Sequence, residues 1–248
     1  MPGDYSILNY STRTDLDQCR SYLISQMKEQ KPKRFRPPAP GPAITMSYLT
    51  GSGEHEVAKR VAGILQAAGP KGAVRWTVFD RQLVEEVLKS HRLPEAMAKF
   101  MPEDRRSFIA EEMDELLGLH PPAWIVVPQI AETVLHLAEA GHVILVGRGA
   151  GFITARMANV FHVRLIASWP GRIERVRKIE NLSAKAAAKF IARRDRGRSR
   201  YAKAYFHGRA DDDLLYHLVV NTDRIPPPAA AALIAYTAQR CFRNFKSA

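Results

Sequence analysis

The stretch that decides the fold is "AITMSYLTGSGEHEVAKRVAGIL", which runs from Ala43 to Leu65. Its first residues are apolar, its middle carries Gly51 and Gly53, and the apolar residues after them recur at helical spacing. Strand, glycine turn and helix in this order outline a phosphate-binding loop. The glycines let backbone N–H groups approach an anion, and the following helix offers its N-terminus. The stretch therefore suggests a nucleotide site.

The loop departs from the full phosphate-loop pattern, G-x-x-x-x-G-K-[ST]. If Gly53 is the last glycine of that pattern, Glu54 occupies the lysine position and His55 the hydroxyl position. The carboxylates of Glu54 and Glu56 would oppose a phosphate unless a metal ion or an arginine offsets them. A tight strand-to-helix turn without a ligand also needs glycines, so the loop alone leaves both interpretations open.

Around this stretch, short apolar segments alternate with helical ones. The predicted strands are Ala43–Ser47, Ala73–Asp80, His142–Gly147, Phe161–Ser168 and Leu215–Asn221. A helix between the second and third strands is expected to be interrupted at Pro128. Five such strands separated by helices predict an α/β fold, with a five-stranded parallel sheet and helices on both faces. Ligands of such sheets bind beyond the carboxyl ends of the strands, so the turns there are candidate site segments.

A proline-rich segment, Lys31–Pro42, precedes the main domain. It contains five prolines in twelve residues, which excludes a helix or a central strand. We therefore divide the chain into an N-terminal helical arm with this linker, residues 1–42, and a main domain, residues 43–248. The arm could serve as an intramolecular strap, a dimer contact or a partner-binding segment.

Charged residues follow two of the predicted strands. Asp80 and Arg81 come at the end of the second strand, where they could hold a substrate, although Asp80 could equally cap the next helix. Arg148 follows the third strand within "GRGAG". An arginine between glycines is well placed for a bidentate contact with a phosphate.

The densest charged feature runs from Arg172 to Arg209, with thirteen basic residues against three acidic ones. Arginines that close over a transferred phosphoryl group lower the barrier to its transfer. A solvated helix face or a nucleic-acid patch would show the same composition. Its aromatic residues, Tyr201, Tyr205 and Phe206, cluster at one end, which disfavours nucleic-acid binding by base stacking.

Composition narrows the remaining classes of protein. The net charge of +12 favours polyanionic partners such as nucleotides, and 46% of the residues are apolar. We expect a cytoplasmic protein without a membrane span, because no apolar run approaches ~20 residues and the start has no signal region. The two cysteines, Cys19 and Cys241, and the scattered histidines have no metal-ligand spacing, so neither a disulfide framework nor a metal site is expected.

The motifs in order, "TGSGEHEVAKRVA", "WTVFDRQLVEEVL", "VILVGRGAGFI", "WPGRIERV", "ARRDRGRSRYAKAYF" and "YHLVVNTDR", resemble the cytidylate kinase-like family. That family is a branch of the nucleoside monophosphate kinases, and the resemblance runs from Ala43 to the C-terminus. It implies a three-layer P-loop NTPase fold with a basic helical lid. It also implies a nucleotide substrate, with ATP and Mg²⁺ donating a phosphoryl group to CMP or a related monophosphate.

The resemblance also assigns roles by position. The nucleotide- and phosphate-binding candidates are Gly51, Ser52, Gly53, His55, Arg172 and Arg175. The substrate-binding candidates are Asp80, Arg81 and Arg148. The catalytic candidates, in the lid motif, are Arg194, Asp195 and Arg198.

Two departures from the family pattern bear on activity. No lysine occurs between Ala43 and Ala58, and Gly149 replaces the aspartate of the usual "GRD" motif. Three functional hypotheses follow: a monophosphate kinase in which lid arginines and His55 compensate for the lysine, a catalytically impaired nucleotide sensor, and a nucleic-acid-binding protein that uses the Arg172–Arg209 segment. The acceptor nucleotide and the oligomeric state stay open.

Overall fold

The structure is a computed structural model that describes residues 40–70, 72–80, 123–147 and 149–245. The predicted N-terminal arm, most of the linker and the helices expected between residues 81 and 119 lie outside the described residues. So do two of the candidate substrate-binding residues, Arg81 and Arg148.

Five strands form one parallel sheet in the order β2-β3-β1-β4-β5. Their bounds are Ala43–Tyr48 (β1), Thr77–Phe79 (β2), Val143–Val146 (β3), Val160–Ile166 (β4) and Leu218–Asn221 (β5). The central strand β1 pairs with β3 on one side and β4 on the other, so that Thr45 lies between Leu145 and His162. The prediction of a five-stranded parallel α/β sheet is confirmed.

Six helices accompany the sheet in the described ranges. Their bounds are Glu54–Ala68 (α1), Ala123–Ala140 (α2), Ala150–Ile153 (α3), Trp169–Glu180 (α4), Ala184–Phe206 (α5) and Pro227–Phe245 (α6). Serine side chains fix the starts of α4 and α5: the Ser168 hydroxyl accepts a hydrogen bond from the Gly171 N–H, and Ser183 does the same for Ala186. Together α4 and α5 form a helical hairpin.

The two faces of the sheet carry separate apolar cores because side chains alternate along each strand. One face packs against α1 and α6 and contains Ile44, Phe161 and Ile234. The other packs against α2 and α3 and contains Leu145 and Val134. Helices therefore cover both faces, as the continuous apolar strands predicted.

The helix over Ala123–Ala140 includes Pro128, so the predicted interruption there is wrong. Proline removes one hydrogen bond from a helix, which can continue when its tertiary packing compensates. The apolar residues that follow, among them Ile130, Val134 and Leu137, are buried against the sheet.

Every strand except β1 is shorter than predicted, and the starts of β2 and β5 differ most from the prediction. β2 begins at Thr77 rather than Ala73, because its partner β3 begins only at Val143, the residue paired with Thr77. β5 begins at Leu218 because a 3₁₀ turn over Asp213–Leu215 takes the preceding residues. Within the described ranges, no helix is both long and apolar enough to cross a membrane.

Candidate functional site

In the sheet, β1 lies between β3 and β4. The chain connections that leave the strands on the two sides of β1 therefore run in opposite directions, and the loop after β1 lies at this point. Such a switch point opens a crevice at the carboxyl ends of the strands. The loop folds tightly, with the Ser52 N–H donating to the Leu49 carbonyl at 3.0 Å. Gly51 has φ +82°, and a Cβ there would lie 2.9 Å from the Arg172 carbonyl oxygen. The position therefore requires glycine, both for its backbone conformation and for the close approach of α4.

The Ser52 hydroxyl is a buried polar group of this loop. Ser52 has no solvent exposure, and within the described part of the chain its Oγ has no hydrogen-bond partner. Leaving a buried hydroxyl unpaired costs about 1–3 kcal/mol. A phosphate oxygen, or a cation held by phosphates, would satisfy it, so the loop fits a phosphorylated ligand.

Glu54 and His55 open α1 directly after the loop. Glu54 is buried, with 9% of its surface exposed, and Gly53 before it supplies no side-chain cap. The His55 Nδ1 lies 3.7 Å from the Asp80 Oδ2 at the end of β2. Two candidates from separate motifs, His55 and Asp80, are thus brought together at one edge of the crevice.

Asp195 connects the helical hairpin to the loop. Its Oδ1 accepts hydrogen bonds from the Thr50 N–H at 3.0 Å and from the Thr50 hydroxyl at 2.8 Å. The guanidinium groups of Arg172 and Arg198 also donate to this carboxylate. Burial raises the pKa of Asp195, but Arg198, the Thr50 donors and Arg172 outweigh it, so the pKa falls below its usual value.

Two of the hairpin arginines stack on aromatic rings as they reach the loop. The Arg198 guanidinium lies 4.5 Å from the centre of the Tyr48 ring, and that of Arg172 lies 5.1 Å from the Trp169 ring. Arg172 is buried, and its Nε has no hydrogen-bond partner among the described residues. Stacking leaves N–H donors of a guanidinium available for anions.

Arg175 holds the loop from the other side. It donates to the Gly51 carbonyl at 3.1 Å and to the Thr222 carbonyl at 2.9 Å, and it forms an ion pair with Asp223 at 3.0 Å. Asp223 also accepts a hydrogen bond from the Ser168 N–H. Its pKa is lowered by these contacts, first of all by the hydrogen bond from Ser168. The arginine therefore ties the loop to β5 and α4.

The structure brings most of the predicted site residues together at the loop after β1. Those that meet at the loop are Gly51, Ser52, Gly53, Arg172, Arg175, Asp195 and Arg198. Arg194 lies on α5 with its guanidinium 4.6 Å from the Phe190 ring, and its charge acts on Glu180.

Four further residues contact Arg175, Asp195 or Arg198 at the loop and were not predicted from the sequence: Tyr48, Thr50, Thr222 and Asp223. The aspartate could have been found, since Asp223 follows the predicted end of a strand. Thr50 has no such signal, because its partner Asp195 lies 145 residues away in the chain.

Gly149, which stands where the "GRD" motif has its aspartate, makes a close packing contact with α5. A Cβ on Gly149, whose φ is +67°, would lie 2.4 Å from an atom of the Phe206 ring. That ring stacks on Phe152 of α3 with 5.2 Å between the ring centres. The glycine thus admits the end of α5 onto α3 and anchors the hairpin beside the crevice.

Acidic and histidine side chains are spread through the site rather than clustered. Among the described residues, no group of three or more His, Cys, Asp or Glu side chains could hold a metal ion. Mg²⁺ is commonly held by substrate phosphates, waters and only one or two protein groups.

The chain belongs to the cytidylate kinase-like family, whose model matches residues 43–224. A cytidylate kinase from Thermoplasma acidophilum is 35% identical to it over 97 residues. That match covers 38% of this chain and 50% of the relative, so the chain spans about half the length of this curated relative. A crystal structure of an uncharacterized protein from Eubacterium ventriosum has the same fold, with a TM-score of 0.56 and 18% identity, over 80% of this chain and 98% of that one.

Proposed function

We propose that the protein is a nucleoside monophosphate kinase that transfers the γ-phosphoryl group of ATP to CMP or a related monophosphate in the cytoplasm. One observation carries the proposal. Arg172 and Arg198 converge from the hairpin on a glycine loop whose Ser52 hydroxyl is buried and without a partner among the described residues. Donors of this kind, fixed around a phosphate position, are what phosphoryl transfer requires.

In the reaction, the bond between the γ-phosphorus and its bridging oxygen breaks while an oxygen of the acceptor phosphate bonds to that phosphorus, leaving ADP. Negative charge grows on the bridging oxygen and on the transferred group. We assign Arg172 and Arg198 to stabilise this charge and Ser52 to contact the ATP phosphates or their cation. Mg²⁺, when bound, neutralises charge on the phosphate oxygens.

The remaining candidates take supporting roles in this proposal. Arg175 positions the loop through the Gly51 carbonyl, and Asp195 orients both catalytic arginines. Asp80, Arg81 and Arg148 would hold the acceptor.

Two nearby side chains complete the assignment. His55, held beside Asp80, would stand in for the absent lysine together with the lid arginines. Arg194, on the same helix as Arg198, would close over the phosphates.

The test is ADP release from ATP and Mg²⁺ with a panel of nucleoside monophosphates. We expect turnover with at least one pyrimidine monophosphate. Arg198→Gln should lower kcat by about 100-fold, because removing one charge-stabilising donor costs ~3 kcal/mol. Arg196→Gln is the matched control, since that arginine is exposed on the same helix, and it should stay within twofold. Absence of turnover with every acceptor would overturn the proposal.

A nucleotide sensor without turnover is the second candidate. Two features favour it: Arg172 and Arg198 already share the carboxylate of Asp195, and the acidic residue Glu54 is buried directly after the loop. This candidate predicts micromolar nucleotide binding in calorimetry, little dependence on Mg²⁺ and no product. The kinase proposal predicts tighter ATP binding with Mg²⁺ than without it.

A further inference from the structure

The helix α5 has a second charged face that the phosphate site does not use. Six basic side chains are exposed along it. We call them the basic stripe, and its members are Lys185, Lys189, Arg193, Arg196, Arg200 and Lys203.

The stripe is straight and narrow. Its members follow one another at intervals of three or four residues, so at ~100° per residue they fall within a sector of about 80°. At ~1.5 Å per residue the stripe is about 27 Å long. The buried residues of α5, among them Ala187, Ile191 and Ala202, lie about 180° away on the helix. The stripe therefore faces away from the core.

Within the described part of the chain, four of the six members of the stripe are not neutralised by an opposing charge. The single acidic residue of the helix, Asp195, lies on the inner side with Arg172 and Arg198. Among the described residues, Lys185, Lys189, Arg196 and Lys203 make no ion pair. Like charges at three- and four-residue spacing repel one another, so a polyanion laid along the helix would relieve the repulsion.

We propose that the basic stripe binds the phosphate backbone of double-stranded nucleic acid without reading its sequence. Duplex DNA carries one charge per ~1.7 Å of its axis, a density that suits a row of cations. The stripe offers no stacking platform for single strands, because Tyr201 is buried and Phe206 stacks on Phe152. It also lacks exposed large apolar side chains, which a helix needs in order to enter a membrane surface.

This proposal is independent of the kinase proposal. The side chains at the loop come from the inner side of α5, whereas the stripe lies on the outer side. Both ligands could therefore bind at once, and the failure of either proposal leaves the other standing.

The experiment measures binding of the full chain to a mixed-sequence DNA duplex of about 20 base pairs, which at ~3.4 Å per base pair is longer than the stripe. The affinity is followed from about 50 to 200 mM salt. The stripe variant carries Lys185→Gln, Lys189→Gln and Arg196→Gln. The control variant removes the same charge from exposed sites on α1 and α6, through Lys59→Gln, Arg60→Gln and Arg240→Gln. Thermal unfolding midpoints confirm that both variants fold.

For the wild type, six phosphate contacts predict a slope of log affinity against log salt near −5, at about −0.9 per contact. The stripe variant should lose at least tenfold in affinity at low salt, with a slope near −3. The control variant should stay within about twofold and keep the wild-type slope. Saturating ATP should leave duplex binding unchanged.

Several results would overturn the proposal. One is no duplex binding by the wild type at about 50 mM salt. Equal losses in the stripe and control variants would assign the binding to net charge. Displacement of the duplex by ATP would assign it to the loop. Binding to vesicles that contain phosphatidylserine, without binding to the duplex, would make the partner a membrane surface.

Discussion

Glu54 sets the glycine loop after β1 apart from the usual phosphate-loop pattern, because a buried acidic residue stands where that pattern has lysine. We predict that Glu54→Gln tightens ATP binding by about fivefold, since it removes roughly 1 kcal/mol of repulsion from the phosphates. Calorimetry measures the change. The control is Glu56→Gln, whose carboxylate is exposed and pairs with Arg60 at 2.9 Å, and it should leave the affinity unchanged. Weaker binding by Glu54→Gln would mean that the carboxylate contributes a contact of its own, such as one to the cation.

Asp195 is the residue on which the loop and the hairpin depend together. Asp195→Asn keeps the shape of the side chain but removes the charge that holds Arg172 and Arg198. We predict that the free energy of unfolding falls by about 1–3 kcal/mol, because charged hydrogen bonds in a partly buried site are lost. We also expect kcat to fall by at least tenfold. Urea unfolding and initial rates measure the two effects, with the exposed Asp213→Asn as control. An Asp195→Asn variant as stable and active as the wild type would show that the network is not needed.

At the scale of elements, the end of α5 is fixed by the close approach of Phe206 to Gly149. Gly149→Ala should destabilise the fold by about 2–5 kcal/mol, through left-handed backbone strain of ~1–2 kcal/mol and overpacking of ~1–3 kcal/mol. In a Phe206→Ala background the overpacking disappears and the strain remains, so the same substitution should cost only ~1–2 kcal/mol. A double-mutant cycle in urea measures this difference. Equal costs in both backgrounds would mean that the ring yields freely.

The elements themselves could be predicted because their signals are local. Apolar runs marked the five strands, and apolar residues at helical spacing marked α1. The end of a strand depends on its partner, which is why β2 begins only where β3 offers Val143 as a pairing residue. In the site, the glycine loop and its arginines were visible in the sequence. The contact of Thr50 with Asp195 was not, since it depends on how the hairpin folds back over the sheet.

At the scale of the whole molecule, a histidine buried within the sheet links folding to pH. His162 lies on β4, where its Nδ1 is 2.7 Å from the Thr45 hydroxyl and its ring stacks on His217. Burial, and then the charge of His217, lower the pKa of His162 to about 4, and burial also lowers that of His217. The folded protein therefore holds His162 neutral in conditions where the unfolded chain would protonate it.

The sign of the pH effect follows from this difference. Between pH 6.5 and about 4 the unfolded chain binds a proton that the folded protein does not, so the free energy of unfolding falls as the pH falls through that range. The loss should approach about 3 kcal/mol at pH 4, because each pKa unit corresponds to ~1.4 kcal/mol. Urea unfolding across this pH range measures it. His162→Gln should flatten the dependence, whereas the exposed His136→Gln should keep it. Identical pH profiles for wild type and His162→Gln would contradict the assignment.

The central claim is that the loop after β1 and the inward-facing arginines of the hairpin form a working phosphoryl-transfer site despite the absent lysine. Its most direct test is the transfer of label from γ-labelled ATP to nucleoside monophosphates by the wild type, Arg198→Gln and Arg196→Gln. We predict labelled diphosphate from the wild type and from Arg196→Gln, and about 100-fold less from Arg198→Gln. Label in no diphosphate, or equal losses in the two variants, would contradict the claim.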